Sequence, residues 1–360
     1  MNSNPLEARL HHLIEQDGPI GTDHFMQLAL SHPEYGYYRS GIPIGQDGDF
    51  ITAPEISQMF GELIGLWLYQ VACHQDINPD GNETGASLME LGPGRGTLMA
   101  DILRSLAMVA GSFVWPVRMV EISPALKSAQ QEKLRTASNA KPFWTENLSS
   151  LPPRPLLLIA NEFFDALPVR QYISRETGWH ERLVSLKDGQ LTMSQAETPT
   201  PLDLPDQPPG TIAEICPDAL EITKVLASHI SRHKGAMLLI DYGKSSPIGD
   251  SLQAVRDHRP VDILSQPGRT DISAWVDFEA IRNAADDAGA HVAGPVDQGD
   301  FLKALGLFER AEQLAEGQDP GTRRMIAAAV DRLTSPAQMG RVFKVMAILP
   351  DESSMPVAGF

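Results

Sequence analysis

The run LMELGPGRGT, residues 88–97, holds the residues whose types and spacing point most directly to chemistry. Its three glycines alternate with other residues: Gly92, Gly94 and Gly96. A dinucleotide-binding turn has the spacing G-x-G-x-x-G and sets a helix N-terminus against a pyrophosphate, but Thr97 occupies the position of its third glycine. Glu90 stands two residues before the first glycine, where a carboxylate would repel a pyrophosphate and attract an ammonium group. The run therefore predicts a site for a zwitterionic ligand.

S-adenosylmethionine is a ligand of that kind, because its amino acid moiety carries both an ammonium and a carboxylate group. Backbone N–H groups near Gly94 and Gly96 can meet the carboxylate while Glu90 balances the ammonium. The spacing G-x-G-x-G with an acid just ahead is typical of class I methyltransferases, so we predict S-adenosyl-L-methionine as the cofactor. An NAD-dependent oxidoreductase is the alternative that Thr97 and Glu90 disfavour. A glycine-rich turn with solvated carboxylates is the purely structural alternative.

The ends of the next two predicted strands supply further cofactor contacts. At the second strand, Glu121 can accept hydrogen bonds from both ribose hydroxyls, and Ile122 follows it. At the third, Asn147 and Leu148 are predicted to flank the adenine, although a capping role explains the asparagine equally well.

The fourth predicted strand runs into NEFFDALP, residues 161–168, at the edge where open α/β sheets place their chemistry. Methyl transfer is an in-line displacement, so the protein must align a nucleophile and leave its lone pair free. Glu162 and Asp165 would face one acceptor if a helical turn begins there. Such carboxylates offset the charge of an amine or guanidinium group and take up the released proton. Asn161 with Phe164 also echoes the Asn-x-x-aromatic loop of amine and amide methyltransferases, whereas the structural alternative makes Asn161 and Asp165 helix caps.

An arginine acceptor suits paired carboxylates especially well, because they orient the planar guanidinium group. Further along the chain, Tyr242 or His258 could line the acceptor pocket, although a structural role is the commoner case for both residue types.

The composition excludes several classes of protein. With 29 basic and 46 acidic residues, the net charge is −17, which disfavours a nucleic-acid partner. The same charge would attract a basic polypeptide, or it serves only solubility. Cys73 and Cys216 are the only cysteines and show no metal-ligand spacing, so we expect no metal. The first residues lack an apolar run and no stretch suits a bilayer, so we expect a cytoplasmic protein without membrane insertion.

Short apolar segments alternate with helical patterns beyond a polar linker at residues 74–85. This alternation predicts an α/β fold, a Rossmann-like class I methyltransferase sheet with helices on both faces. Helices are predicted at 5–16, at 22–31 with Thr22 as cap, at 57–73, 97–109, 124–137 and 218–233. Strands are predicted at 87–91, 117–121, 142–145, 156–160 and 236–240. A hairpin is predicted within 170–193, and a last strand at 341–349 that joins the sheet edge antiparallel to its neighbours.

Three units are predicted along the chain. Residues 1–80 form an N-terminal helical cap that includes the GDFITAPE loop, and residues 81–350 form the methyltransferase domain. An insertion occupies about 170–212, with hairpin and helical elements, and residues 351–360 form a tail.

Several stretches resemble the MidA-like family, which includes a mitochondrial arginine methyltransferase that assists assembly of respiratory complex I. The matching stretches span nearly the whole chain: PEYGYY at 33–38, GDFITAPEISQMFG at 48–61, ELGPGRGTLMADILR at 90–104, NEFFDALP at 161–168, DYG at 241–243 and RVFKVM at 341–346. The resemblance implies a helical cap over the methyltransferase domain and symmetric dimethylation of an arginine in a complex I subunit. It also implies that the loop from Gly48 to Glu55, with Thr52 and Pro54, closes over the cofactor or acceptor. Ser251 and Val255 depart from the threonine and tyrosine more usual in the family.

Three functions are therefore compared. The leading hypothesis is a protein arginine N-methyltransferase with a protein substrate. The second is a methyltransferase for a small amine or hydroxyl compound. The third is a non-catalytic assembly chaperone that retains the cofactor fold as a scaffold. The sequence leaves the oligomeric state open.

Overall fold

The computed structural model describes residues 4–39, 52–77, 85–111, 113–137, 139–351 and 358–360. Within these ranges the helices are α1 (Pro5–Asp17), α2 (Thr22–Ser31), α3 (Ala53–Ile56), α4 (Gln58–His74), α5 (Thr97–Val109), α6 (Pro124–Leu134), α7 (Pro217–His233), α8 (Phe278–Asp287), α9 (Gln298–Ala304), α10 (Leu307–Ala315), α11 (Pro320–Thr334) and α12 (Met339–Val342). A single 3₁₀ turn spans Tyr37–Arg39. No helix in the described ranges combines the length and apolar character needed to cross a bilayer.

The strands in the same ranges are β1 (Ile20–Gly21), β2 (Ser87–Leu91), β3 (Trp115–Val120), β4 (Ala140–Thr145), β5 (Leu156–Asn161), β6 (Arg170–Arg175), β7 (Gly178–Lys187), β8 (Gln190–Gln195), β9 (Ile212–Ile215), β10 (Gly235–Lys244), β11 (Gln253–Arg256), β12 (Arg259–Val261), β13 (Asp271–Ser273), β14 (Val276–Asp277), β15 (His291–Asp297) and β16 (Phe343–Leu349).

The central sheet has the order β15-β16-β10-β5-β2-β3-β4, and the short β14 also pairs with β10. The five strands from β10 to β4 run parallel, whereas β16 runs antiparallel to both of its neighbours. The fold is thus α/β with a mixed central sheet. The parallel strands are continuous apolar runs because both faces of the sheet are covered.

Alternate residues of the central strands enter two separate cores. Leu88 and Leu157 belong to one cluster with residues of α4 and α5, whereas Met89 and Leu158 belong to another with residues of α7 and α8. Successive side chains of a strand point to opposite faces. Helices therefore cover both faces of the sheet, and the strand ends between them are held rigidly.

A second, antiparallel sheet has the order β1-β7-β6-β9, with β8 paired to β7. Helices α1 and α2 pack on it through Leu10 and Phe25, which share a cluster with Val184 of β7. Helix α4 instead packs against α5 in the main core. A third sheet joins β12, β11 and β13.

Several local predictions differ from the structure. Gly21 is the cap of α2, because the Thr22 hydroxyl donates instead to the Val169 carbonyl at 2.8 Å. The last strand begins at Phe343 and is antiparallel as predicted, but it lies inside the sheet because β15 forms the edge. A hairpin does form within 170–193, where β6 and β7 pair on either side of residues 176–177, but β8 adds a third strand that was not predicted.

Candidate active site

The carboxyl ends of β2 and β5 lie side by side at the centre of the sheet. Leu91 is in register with Ala160, so the residues that follow each strand emerge next to one another. From β2 the chain moves outward through β3 to β4 and then returns to β5 on the opposite side of β2. Open α/β sheets bind ligands in the crevice at such a reversal of strand order. The glycine run and NEFFDALP meet at this crevice.

The turn after β2 requires its glycines for backbone conformation. Gly92, Gly94 and Gly96 have φ values of 59°, 54° and 79°, in the left-handed region that disfavours other residues. A Cβ atom on Gly92 would also stand 2.9 Å from Cδ2 of Phe163. The turn therefore presents bare backbone toward the crevice.

Two cavities open at the crevice. The first, of about 40 Å³, is lined by the glycine turn, the segment before α4 and the end of β5: Thr52, Pro54, Glu55, Glu90, Gly92, Pro93, Gly94, Arg95, Thr97, Leu98, Asn161 and Glu162. The second, of about 250 Å³, lies along the end of β3: Ser31, Tyr38, Gly92, Gly94, Val120, Glu121, Ile122, Leu126, Glu146, Glu162, Phe163, Ala166 and Leu167. Gly92, Gly94 and Glu162 line both cavities. A bulky ligand group fits the second cavity and a small polar one the first.

Glu90 is a buried carboxyl group in the first cavity. Its Oε2 atom has no hydrogen-bond partner, although the residue is only 3% exposed. Burial, together with repulsion from Glu121, raises its pKa well above the usual value. An unpartnered carboxylate oxygen of this kind is costly, and a bound ammonium group would satisfy it. The site thus fits the amino group of S-adenosylmethionine.

Glu121 occupies the end of β3 in the second cavity. Its carboxylate accepts hydrogen bonds from the backbone N–H of Ser123 at 2.7 Å and from Nε2 of Gln130 at 3.0 Å. Burial raises its pKa, and these hydrogen bonds oppose the rise. Each carboxylate oxygen keeps acceptor capacity for a ribose hydroxyl.

Three predicted cofactor residues line neither cavity. Gly96 packs behind the turn, where a Cβ atom would meet Gln130 at 3.3 Å. The exposed Asn147 accepts from the backbone N–H of Ser149 at 3.0 Å, the capping alternative for this residue. Leu148 packs against the hydrophobic cluster under β2 and β5. Ile122 and Glu121 do line the second cavity.

Glu162 follows β5 with a φ of 50°, which is unusual for a residue with a side chain. Its Oε1 accepts from the backbone N–H of Ala53 at 3.2 Å and from Nδ2 of Asn161 at 3.1 Å. Burial, reinforced by the charge of Asp165, raises the pKa of Glu162 to about 7. A carboxyl group with this pKa can exchange a proton near neutral pH.

Asp165 does not share the cavities with Glu162. The left-handed backbone at Glu162 prevents a helical turn from beginning there, so the predicted one-turn pairing of the two carboxylates does not form. The buried Asp165 Oδ1 has no hydrogen-bond partner. Burial raises its pKa to about 6, while a hydrogen bond with Tyr242 lowers it.

Asp241 shapes the backbone of this loop. It is fully buried, and its Oδ2 accepts from the backbone N–H groups of Phe164 at 3.0 Å and Asp165 at 3.2 Å. Burial and the neighbouring Asp165 raise its pKa. Tyr242 contacts Asp165 and Ser273, and burial raises its pKa. His258 lies exposed at the turn between β11 and β12 and lines neither cavity.

The segment before α4 is attached to the site at both ends of α3. Besides the Ala53 contact, Oε1 of Glu55 accepts from the Thr97 hydroxyl at 2.5 Å, and Nζ of Lys133 donates to that hydroxyl at 3.0 Å. Thr52, Pro54 and Glu55 line the first cavity, while residues 48–51 of the GDFITAPE loop lie outside the described residues.

Sequence reasoning missed Arg95 in the first cavity, and in the second it missed Ser31, Tyr38, Leu126 and Leu167. Tyr38 and Ser31 come from a segment far from the glycine turn. Tyr38 ends the PEYGYY stretch that resembles the family, but that stretch does not indicate which cavity its residues line. Arg95 had such a signal, because it stands between two of the predicted glycines.

The strand order, the glycine turn and the unpartnered Glu90 together define a Rossmann-like methyltransferase. A family model described as "Putative S-adenosyl-L-methionine-dependent methyltransferase" matches residues 63–296. The chain is 35% identical to the mitochondrial protein arginine methyltransferase NDUFAF7 homolog of Drosophila melanogaster, over 99% of this chain and 88% of the relative. It is 34% identical to the Homo sapiens protein of that name, over 97% and 85%. The chain belongs to this methyltransferase family, the MidA-like family that the sequence resembles.

A crystal structure from Burkholderia thailandensis, of a superfamily member bound to S-adenosyl-homocysteine, matches with a TM-score of 0.82 and 28% identity. The match covers 98% of this chain and 93% of that chain. The protein is therefore an S-adenosyl-L-methionine-dependent methyltransferase, and the predicted cofactor is confirmed. The prediction of a cytoplasmic protein is wrong, because the relatives named above and others at similar identity are mitochondrial proteins. That prediction was based on the lack of an apolar run in the first residues, and such a lack does not identify a compartment.

Proposed function

We propose that this methyltransferase is a protein arginine N-methyltransferase that symmetrically dimethylates an arginine of a respiratory complex I subunit. The names of the curated relatives support the arginine acceptor. The observation that carries the proposal is a group of carboxyl groups in the loop after β5 and in the neighbouring strand β10. Glu162, Asp165 and Asp241 form no salt bridge with any residue of the described ranges.

The charge of Arg332 lowers the pKa of Glu162, but no cation of the described residues pairs directly with this group, and the missing ion pair is a physical argument for the acceptor. Burial raises all three pKa values, and repulsion from neighbouring carboxylates adds to the rise at Glu162 and Asp241, so a positive group placed beside them would lower the free energy of their ionised forms. Among common acceptors, the guanidinium group is permanently charged and planar, and it pairs with carboxylates through several N–H donors. A neutral hydroxyl acceptor would leave the repulsion in place.

We assign roles to the residues on this basis. S-adenosylmethionine supplies an electrophilic methyl group on a sulfonium centre. Glu162, at the junction of the two cavities, holds the acceptor nitrogen in line and takes up its proton. Asp165 and Asn161 position the acceptor and the Glu162 carboxylate.

We assign the remaining residues to parts of the cofactor. Glu90 holds the ammonium group, and Gly92, Gly94 and Gly96 bring backbone close to the methionine end. Glu121 holds the ribose hydroxyls, and Ile122, Asn147 and Leu148 lie on the adenine side. Thr52, Pro54 and Glu55 close the methionine end. Residues 1–80 are assigned as a cap, of which α4 packs into the main core, and residues 81–350 as the methyltransferase domain, with the insertion at about 170–212 and a tail at 351–360.

The proposal is tested by methylation of a proteome from cells that lack this gene. Purified protein and methyl-labelled S-adenosylmethionine should label a polypeptide that mass spectrometry identifies as containing symmetric dimethylarginine. Glu162→Gln should abolish the label while it retains cofactor binding, and the exposed Glu132→Gln should behave as wild type. Label in the low-mass fraction only would support a small-molecule methyltransferase instead. Normal complex I assembly with Glu162→Ala in the cell would support a non-catalytic chaperone.

A further inference from the structure

The first cavity holds charges of both signs, and their distribution is uneven. Its lining contains the carboxyl groups Glu55, Glu90 and Glu162, and one cationic side chain, Arg95. Each of the three carboxyl groups accepts at least one hydrogen bond: Glu162 from Ala53, Glu55 from Thr97 and Glu90 from the backbone N–H of Met99. Arg95 forms no hydrogen bond or salt bridge with any residue that the structure describes.

An unpaired arginine in a cavity of three carboxyl groups calls for an explanation. A half-buried guanidinium group has five N–H donors and normally pairs with a carboxylate. Glu55 is instead bonded to the Thr97 hydroxyl, and Glu162 to Ala53 and Asn161. The cavity therefore keeps one cationic donor group free, and a carboxylate oxygen of Glu90 is buried there without a hydrogen-bond partner.

We infer that Arg95 binds the carboxylate of the methionine moiety of S-adenosylmethionine, opposite Glu90, which binds its ammonium group. The two free groups are complementary in sign to the two charges of an amino acid, and both line the cavity that the glycine turn forms. An Arg–carboxylate pair with two parallel N–H···O hydrogen bonds is among the stronger polar contacts in proteins. Backbone N–H groups of the glycine turn would bind any anion, whereas this pair of side chains selects an α-amino acid.

Arg95 is held in position by its place in the chain. It lies between Gly94 and Gly96, both with left-handed φ values, one residue before the N-cap of α5. The α5 cap itself makes no side-chain hydrogen bond to the helix. The backbone at Arg95 is thus fixed on both sides, so its side chain starts from a defined point at the cavity wall.

The test compares two cofactors that differ in one group. Binding of S-adenosylmethionine and of decarboxylated S-adenosylmethionine, which lacks only the carboxylate, is measured by titration calorimetry on wild type, Arg95→Ala and Arg95→Lys. We expect Arg95→Ala to weaken binding of S-adenosylmethionine by about 10- to 100-fold, and to leave binding of the decarboxylated compound within about twofold of wild type. Arg95→Lys should be intermediate for the first ligand, because it keeps the charge and loses the planar fork.

Two results would overturn the inference. Equal weakening of both ligands by Arg95→Ala would mean that Arg95 only supports the turn, and unchanged binding of S-adenosylmethionine would mean that it makes no contact. The matched control is Arg135→Ala, an arginine just after α6 whose side chain is 68% exposed. Because binding of the decarboxylated compound is itself the measure of correct folding, a misfolded variant cannot imitate the expected result. If Arg95→Ala does not fold, the same pair of titrations on Arg95→Lys decides between the outcomes.

Discussion

The backbone N–H of Ala53 donates to the carboxylate of Glu162 at 3.2 Å, and this contact joins the segment before α4 to the loop after β5. The two residues are 109 positions apart in the chain. At the other end of α3, Glu55 is bonded to Thr97 at the start of α5. The helix thus spans the first cavity from the acceptor side to the cofactor side, and Glu162 contributes both to closing the cavity and to its charge.

The pH dependence of methyl transfer should report the titration of Glu162. Because its pKa is raised to about 7 and its ionised form is the one that accepts a proton, kcat/KM should fall about tenfold per pH unit below pH 7. Glu162→Gln should lower kcat by about 100- to 10,000-fold. Any residual activity should no longer decrease below pH 7. Rates measured from pH 5 to pH 9 at saturating cofactor test this. If kcat/KM of the variant decreases below pH 7 as that of wild type does, the titration belongs to another group.

The same raised pKa makes a prediction about stability. The folded protein binds a proton on Glu162 more tightly than the unfolded chain, whose ordinary pKa is 4.5, so the free energy of unfolding decreases as pH rises from about 4.5 to about 7. The two pKa values differ by the equivalent of about 3 kcal/mol, which water at the half-buried carboxylate reduces to about 2 kcal/mol. Glu162→Gln should therefore be about 2 kcal/mol more stable than wild type at pH 8 and equal to it at pH 4.

Urea unfolding of both proteins at pH 4, 6 and 8 measures this difference. The amide of the variant keeps an acceptor oxygen for Ala53 and Asn161, so packing is preserved. A variant less stable than wild type at pH 8 would show that the ionised carboxylate is stabilised by its neighbours after all.

Much of the central fold could be predicted because the signals are local. Helix α5 begins and ends at the predicted residues, since Thr97 follows the glycine turn and Leu98, Ile102 and Leu106 recur at helical spacing. The edge strand β15 is not predicted from the sequence, because Gly294 and Pro295 interrupt its alternating pattern. The pairing of the second sheet depends on contacts between segments distant in sequence, which no local pattern records.

The residues of the candidate site also differ in whether a local sequence pattern indicates them. Glu90, Gly92, Gly94, Glu121 and Glu162 could be placed near one another, because each lies at or just after the carboxyl end of a strand, and these ends lie at one edge of the sheet. Tyr38 could not, because it reaches the second cavity from a 3₁₀ turn that packs on a different sheet. Asp165 was predicted to face the cavity only because helical spacing was assumed beyond Glu162, where the backbone is left-handed.

The contact between Thr97 and Glu55 should contribute to cofactor affinity. Thr97→Val removes the hydroxyl that donates to Glu55 and accepts from Lys133, so α3 loses its attachment at the cofactor side. We expect S-adenosyl-homocysteine to bind about 3- to 10-fold more weakly, mainly through faster dissociation. Thr322→Val is the matched control, since its hydroxyl also donates to a carboxylate, Asp319, at 2.5 Å but at the exposed start of α11. Equal affinities for the two variants would show that the contact does not hold the cavity closed.

A comparison of Gly92→Ala with Gly111→Ala distinguishes backbone strain from steric crowding at the crevice. Both Gly92 and Gly111 have left-handed φ values, of 59° and 63°, so alanine at either position should cost about 1 kcal/mol in stability. At Gly111 nothing lies within 4 Å of an added Cβ atom, whereas at Gly92 the atom would stand 2.9 Å from Phe163. Gly92→Ala must therefore displace the Phe163 ring, which lines the second cavity, and should weaken cofactor binding more than tenfold. Gly111→Ala should bind the cofactor as wild type does. Calorimetric titration with S-adenosyl-homocysteine, alongside thermal unfolding, measures both effects, and similar affinities in the two variants would mean that the glycine at position 92 serves only the turn.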